Sequence, residues 1–401
     1  MRLYYHLVLV LLALPYVRAD GPPVLMTLNP DEAVVEGRSV IWSPLAQACW
    51  DQMKLYHGVQ KIEFDKPEPI TDVLNTFQLN AMATFPPGTV IYGGDDSPQR
   101  RSMIRAELMK KAGPNAAKLI GDFRPPGDIS PPDRPGTHYR IKSALFISCL
   151  AHAPKFGSGF SRDQGRRAFT CGDGKKLMLR GFGAHEAQAA QLGEGLVVLA
   201  DDLQGGQVLR LPFIAQNEQT KDYLILVRKR GLKTLGEAMK CASDAIKSPI
   251  TPERAVQHQG RWWRYSNQLT SIDHFWMPML KTTLVCDHTE LIGKTYLSTP
   301  VMEDGFRYFW RIIEAQQMLS FKLNETGAMT QMVFKVAPDF EAMGGAPGLS
   351  GKTPPKPLAE LPEWPKTFTF DQPFLAALWR EDADWPYLAC WVDSAEVLDL
   401  E

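Results

Sequence analysis

The sequence lacks an excess of either charge. In 401 residues, 44 Lys and Arg stand against 45 Asp and Glu, a net charge of −1. Without a basic surplus there is no electrostatic footprint for nucleic acid or for an anionic membrane surface. The short clusters Gln99-Arg100-Arg101 and Arg228-Lys229-Arg230 read as solvated faces or turns. Cysteine is also scarce: six residues (Cys49, Cys149, Cys171, Cys241, Cys286, Cys390), none in a CxxC arrangement. That excludes a disulfide-dense scaffold and a thiolate zinc site. Export would permit disulfides, and buried free thiols account for several of the six equally well.

The patterns of catalytic chemistry are missing as well. No HExxH helix occurs, and His185-Glu186 and Asp201-Asp202 are isolated pairs without a third ligand at useful spacing. Gly157-Ser158-Gly159 lacks the spacing of a nucleophile elbow. Ala346 stands where a phosphate-binding loop ending in Lys352-Thr353 needs its first glycine. His152, His274 and His288 read as surface or satisfied core histidines, and Trp262, Trp263, Trp276 and Trp310 as core fillers. We therefore expect no enzyme activity, no metal and no cofactor.

Long apolar runs are absent except at the amino terminus. Arg2 precedes an almost unbroken apolar stretch over residues 3–14, and Val17-Arg18-Ala19 offers small residues where a signal peptidase reads. Residues 1–19 thus read as a secretory signal peptide, too short to span a bilayer comfortably. An uncleaved anchor is the alternative. The expected localisation is secreted, or periplasmic in a bacterium, with no membrane association after signal removal. With 44% hydrophobic and 22% charged residues, the remainder can bury a large core as one large domain or two ordinary ones.

Proline and glycine, 31 of each, are concentrated in three stretches: residues 21–30, 123–136 (Pro125, Pro126, Pro131, Pro132, Pro135) and 337–365. Neither a helix of useful length nor a central strand can form there. The third stretch is long for a connection inside a compact domain. Between them, residues 43–56 read as a helix opened by Ser43-Pro44, with Leu45, Cys49, Met53 and Tyr56 on one face. Residues 102–111 and 232–241 are further helices. Residues 139–150 read as a buried strand, 208–213 and 223–227 as a hairpin, and 321–323 and 332–336 as strands. Residues 373–379 and 387–392 form a closing hairpin around Glu381-Asp382-Ala383-Asp384. Helices and strands mixed without strict alternation predict an α+β fold.

Taken in order, several segments resemble the serpin family. Ser39-Val40-Ile41-Trp42-Ser43-Pro44-Leu45 is similar to the family's early strand and the start of its buried helix. The 208–227 hairpin, the segment 319–327 leading into the reactive loop, and Phe370-Asp371-Gln372-Pro373-Phe374-Leu375 with the closing hairpin follow in the family's order. The resemblance covers residues 39–393. It implies a single serpin-like domain over residues 20–401, a large central sheet with smaller sheets, and some family helices lost. It also implies a reactive-loop region at about 325–369. The loop's hinge falls on Glu325, Thr326, Gly327, Ala328 and Thr330, the sheet-opening region on Ser43, Ser143 and Gln317, and the scissile bond near Glu341 and Ala342, with Lys352 and Lys356 as equally exposed candidates.

Family inhibitors trap proteases by inserting the cleaved loop as an extra strand of the main sheet. Several residues depart from what that requires. Gln331 and Met332 stand where small residues are expected, and bulk between packed strands costs roughly 1–3 kcal/mol a site. Ala46, Ser143 and Gln317 replace the family's Ser, Asn and His, and Ala151 replaces a tryptophan. The helix that crosses the front of the sheet would fall in the second proline-rich stretch, where proline excludes it, which would leave apolar surface bare unless loops or a partner cover it. Two functions follow: a secreted serine or cysteine endopeptidase inhibitor acting through the loop, or a non-inhibitory serpin-derived binding protein whose loop does not insert. The partner is a protease or another protein met through the loop, and the chain is expected to be a monomer.

Overall fold

The structure is a computed structural model that describes residues 22–121, 128–129, 139–140, 144–157, 160–185, 189, 192, 195–214, 221–258, 261–297, 309–336 and 362–400. The proposed signal peptide, Ser143 and the span 337–361 lie outside these residues, and so does most of the second proline-rich stretch.

Two large sheets face each other. The first has seven strands in the order β1 (Val24–Thr27), β2 (Ser39–Trp42), β24 (Leu388–Val392), β23 (Phe374–Arg380), β13 (Asp222–Arg228), β12 (Gln207–Pro212) and β11 (Val197–Asp201). The second has five: β17 (Leu280–Asp287), β20 (Ala315–Asn324), β21 (Gly327–Val336), β6 (Ala144–His152) and β3 (Val90–Asp95). A four-stranded sheet runs β22 (Thr367–Thr369), β16 (His274–Pro278), β10 (Gly181–His185) and β7 (Ser161–Arg162). Four ribbons complete the set: β4 (Asp128–Ile129) with β5 (Tyr139–Arg140), β8 (Arg167–Thr170) with β9 (Lys176–Leu179), β14 (Glu253–His258) with β15 (Arg261–Ser266), and β18 (Thr295–Leu297) with β19 (Phe309–Arg311). Pairing is antiparallel except between β1 and β2 and between β16 and β22. Five helices accompany the described strands: α1 (Leu45–His57), α2 (Pro69–Thr76), α3 (Ala81–Thr84), α4 (Pro98–Lys118) and α5 (Leu235–Lys247). This is the α+β class that the sequence predicts.

The core has three parts. Helix α1 packs into the main core through Leu45, Cys49, Trp50 and Met53, all almost fully buried, while Asp51, Gln52 and Lys54 are half-buried and Leu55 is exposed. It ends at Gly58 (φ 62°), whose N–H returns to the Leu55 carbonyl. Pro44 occupies the N-cap position, and the Ser43 hydroxyl just before it accepts from the Leu45 N–H at 3.4 Å. The far face of the seven-stranded sheet is covered by α5, whose apolar residues Leu235, Ala238, Met239 and Ala242 recur at helical spacing. Thr234 caps it by accepting from the Glu237 N–H at 3.1 Å.

The outer face of the five-stranded sheet carries α4, where the sequence predicts bare apolar surface. Ile104, Leu108 and Ala112 of α4 pack on Leu145, Ile147 and Cys149 of β6 and on Val333 of β21. Ser97 caps this helix at the Arg100 N–H, and Gly113 (φ 79°) followed by Pro114 kinks it. Met103 and Met109 of this helix are exposed. All six cysteines are free thiols, and Cys49, Cys149, Cys171 and Cys390 are buried. Burial pushes the Cys49 and Cys390 thiols up to about 12, which removes them from thiolate chemistry at neutral pH.

Candidate functional site

The hinge residues predicted from sequence form a hairpin and the first part of a sheet strand. Asn324 accepts from both the N–H and the hydroxyl of Thr326, at 3.0 and 2.7 Å, and so holds the turn through Glu325 and Thr326. Asn324 is thereby engaged within the turn. Gly327 follows at φ 143°, and a Cβ there would stand 2.3 Å from the Pro154 carbonyl. Only glycine fits both the angle and the approach. The Phe156 N–H donates to Thr326 and the Ala328 N–H to Pro154, both at 3.0 Å, which ties the hairpin to the chain beyond β6.

From Gly327 the chain runs as β21 between β20 and β6. It pairs with β20 over its whole length, from Asn324↔Gly327 to Ala315↔Val336, and with β6 from Thr330↔His152 to Val336↔Phe146. Ala328, Thr330, Met332, Phe334 and Val336 point inward and are buried. The expectation that bulk at Gln331 and Met332 keeps this stretch out of the sheet is therefore not met. Gln331 is flanked by Ser320 on one side and Ala151 on the other, so small neighbours make its space. Ala151 is the residue that replaces the family's tryptophan. Met332 lies between Leu319 and Leu150 and fills core. The hydroxyl of Thr330 is buried with no hydrogen-bond partner among the described residues.

The lower half of β21 is clamped. Val333 lies beneath α4, and the Lys335 ammonium donates to the Leu119 carbonyl at 2.9 Å and pairs with Glu314. Beneath the strand, the Cys49 thiol of α1 lies 3.5 Å from the Phe334 carbonyl and 3.4 Å from the Ser148 hydroxyl, which itself donates to Leu45 at 2.7 Å.

Of the sheet-opening residues, Ser143 lies outside the described residues, and Ser43 and Gln317 meet different partners. Ser43 donates to the Tyr387 carbonyl at 2.9 Å, at the seven-stranded sheet. Gln317 meets the His288 ring at 3.0 Å, and His288 in turn meets Glu290. Cys49, Ser148 and His288 supply polar contacts under β21 and β20; the sequence reads Cys49 as a helix-face residue and His288 as a surface or core histidine, and gives no signal for Ser148. A cysteine among core residues reads as packing, and nothing in the local pattern reveals its alignment with Ser148.

Glu341, Ala342, Lys352 and Lys356 lie outside the described residues. Where the chain is described again, it is pinned in a different sheet. Arg264 of β15 exchanges backbone hydrogen bonds with this segment, its N–H donating to the Pro362 carbonyl at 2.6 Å and its carbonyl accepting from the Trp364 N–H at 2.8 Å. Lys366 is ion-paired with Asp273 at 2.8 Å, both side chains essentially inaccessible, and its ammonium lies 5.3 Å from the Tyr265 ring centroid. A buried pair of this kind fixes position more than it adds stability. β22 then joins β16, so both ends of the 337–361 span are held at once, one in each sheet.

No family model matches the chain, and none of the curated proteins compared with it does. Among solved structures it is similar to a cleaved serpin 42Da, at 13% identity over 91% of this chain and 92% of that one, with a TM-score of 0.47. It is similar also to a loop-inserted, cleaved ovalbumin mutant (10% identity, 89% and 93%, TM-score 0.45) and to the thermophilic serpin tengpin in its latent state (12%, 91% and 92%, 0.40). Among the described residues no helix is long and apolar enough to cross a membrane, and no group of three or more His, Cys, Asp or Glu is placed to hold a metal ion.

Proposed function

We propose that this chain is an exported, single-domain serpin-like protein that engages a protease or another protein through the segment between β21 and β22, without trapping its partner covalently. The observation that carries this reading is β21 itself. In the trapping mechanism, the strand that enters the main sheet after cleavage supplies the driving force. Here the slot between β20 and β6 is already filled in the uncut chain, with pairing on both sides. The ten residues of β21 therefore retain no insertion energy for a cut to release. Its clamps, Val333 under α4 and Lys335 on Leu119 and Glu314, hold the strand in place rather than ready to leave.

The sequence resemblance, the order of its motifs and the apolar amino terminus support a serpin-like, exported protein. The filled sheet argues against trapping; residues 327–336 lie in the sheet, where the non-inhibitory alternative has the loop stay out, and the segment between β21 and β22 is left as a binding or substrate-like element. The test is incubation of the mature protein with a panel of serine and cysteine proteases, followed by denaturing gels and melting curves. The expected result is simple clipping within residues 337–361, full residual protease activity and an unchanged melting temperature. A band at the summed mass that survives boiling, or a large rise in melting temperature after cleavage, would overturn the proposal.

A further inference from the structure

Two histidines oppose each other in the four-stranded sheet, away from the β20–β21 hairpin. His185 ends β10 and His274 begins β16, directly paired in antiparallel register. The His274 N–H donates to the Lys366 carbonyl at 3.0 Å, toward β22, so its amide faces away from β10. The pair is therefore of the non-hydrogen-bonded kind, which brings opposing side chains closest. The strands approach tightly here, since a Cβ on Gly183, one pair along the same face, would stand 2.0 Å from the Phe275 carbonyl oxygen.

The two imidazoles point their Nδ1 atoms at each other at 3.2 Å on the solvent-exposed surface. Two imidazole nitrogens bound to one ion at about 2.0–2.1 Å, with bond angles near 90–110°, are themselves about 3.0–3.4 Å apart. The observed separation matches a chelate as well as it matches the N–H···N hydrogen bond that joins the two rings when no ion is bound. Asp163 lies within electrostatic reach of His185, while its oxygens are taken by the Gly165 N–H at 3.0 Å and the Arg167 Nε at 2.9 Å. It contributes negative field rather than a ligand.

We propose that His185 and His274 form a two-imidazole surface site for a borderline divalent transition-metal ion of the Zn²⁺ or Cu²⁺ class. Imidazole suits both ions. Chelation requires both rings to carry their proton on Nε2, which leaves both Nδ1 lone pairs for the ion. Water or an outside donor fills the remaining positions, so the ion exchanges readily and stays open to a partner's side chain. The other well-placed histidines do not compete: His152 is bonded to Asp222, His288 to Gln317 and Glu290, and His57 is buried.

The test uses the untagged full-length mature protein, titrated with ZnCl₂ by calorimetry and with CuCl₂ by quenching of tryptophan fluorescence, Trp276 being two residues from His274. We expect one ion per chain. His185→Ala and His274→Ala should each weaken binding at least about tenfold, while His152→Ala should leave it unchanged. His274→Asn, which keeps the ring's approximate size and polarity, should weaken it equally and serves if an alanine variant does not fold. Absence of binding to the wild-type protein, or equal binding by the His274→Asn variant, would overturn the proposal.

Discussion

The two hairpins β23–β24 and β20–β21 are built on different terms. β23 and β24 lie inside the seven-stranded sheet with both faces covered, one by the α1 core and the other by the α5 layer. Every residue of β23 from Phe374 to Trp379 is buried. β20–β21 has the same core beneath it but an uneven cover above. α4 lies over Met318 and Val333, whereas Met329 is 44% exposed and Gln331 is half-buried. A strand sealed on both sides has one place to be. A strand sealed along half its length is held by its clamps, and those can be tested one at a time.

The largest effect should come from breaking the sealed hairpin. Trp379 is 1% exposed, and its indole donates to the Ala383 carbonyl at 2.8 Å. Trp379→Ala should cost about 3–5 kcal/mol in urea unfolding, whereas Met329→Ala on the uncovered part of β21 should stay within about 0.5 kcal/mol. Comparable losses at the two positions would erase the distinction. A smaller effect is expected at the hinge turn. Gly327→Ala should destabilise by about 1–3 kcal/mol through its backbone angle and the clash with Pro154. The loss should be accompanied by faster hydrogen exchange in β21 but not in β23. Exchange that rises equally in both strands would show that the two hairpins open as one unit. The smallest effect has the opposite sign. Thr330→Val keeps the shape and removes a buried hydroxyl without a partner, so it should raise stability by about 1 kcal/mol. A loss at this position would mean that the hydroxyl has found a bond.

The same contrast decides what was legible in the sequence. The closing hairpin was readable because strands buried on both faces are continuous apolar runs around a polar turn, and 373–379 and 387–392 have that form. β12 and β13 were readable for the same reason. β21 was only half legible: residues 332–336 read as strand, while Gly327-Ala328-Met329-Thr330-Gln331 mixes small, polar and apolar residues and reads as loop. What holds them in the sheet is non-local, namely Ser320 and Ala151 beside Gln331 and Pro154 behind Gly327. The cover over the five-stranded sheet is α4, earlier in the chain than the proline-rich stretch around Pro125, and its Ile104, Leu108 and Ala112 stripe carries no mark of its target. Ser43 and Gln317 are buried, and their partners Tyr387 and His288 follow from tertiary placement alone.

The anchoring of residues 362–400 has a consequence for how the gene could be divided. This terminal piece contributes β22 to one sheet and, through β23 and β24, two of the most deeply buried strands of another. It is joined to the rest of the chain only through the span that follows Val336. Two polypeptides expressed separately, one ending after β21 and one beginning near Pro362, carry complementary halves of a single interior. They should assemble into one particle without a peptide bond between them, which would make this architecture a natural split pair.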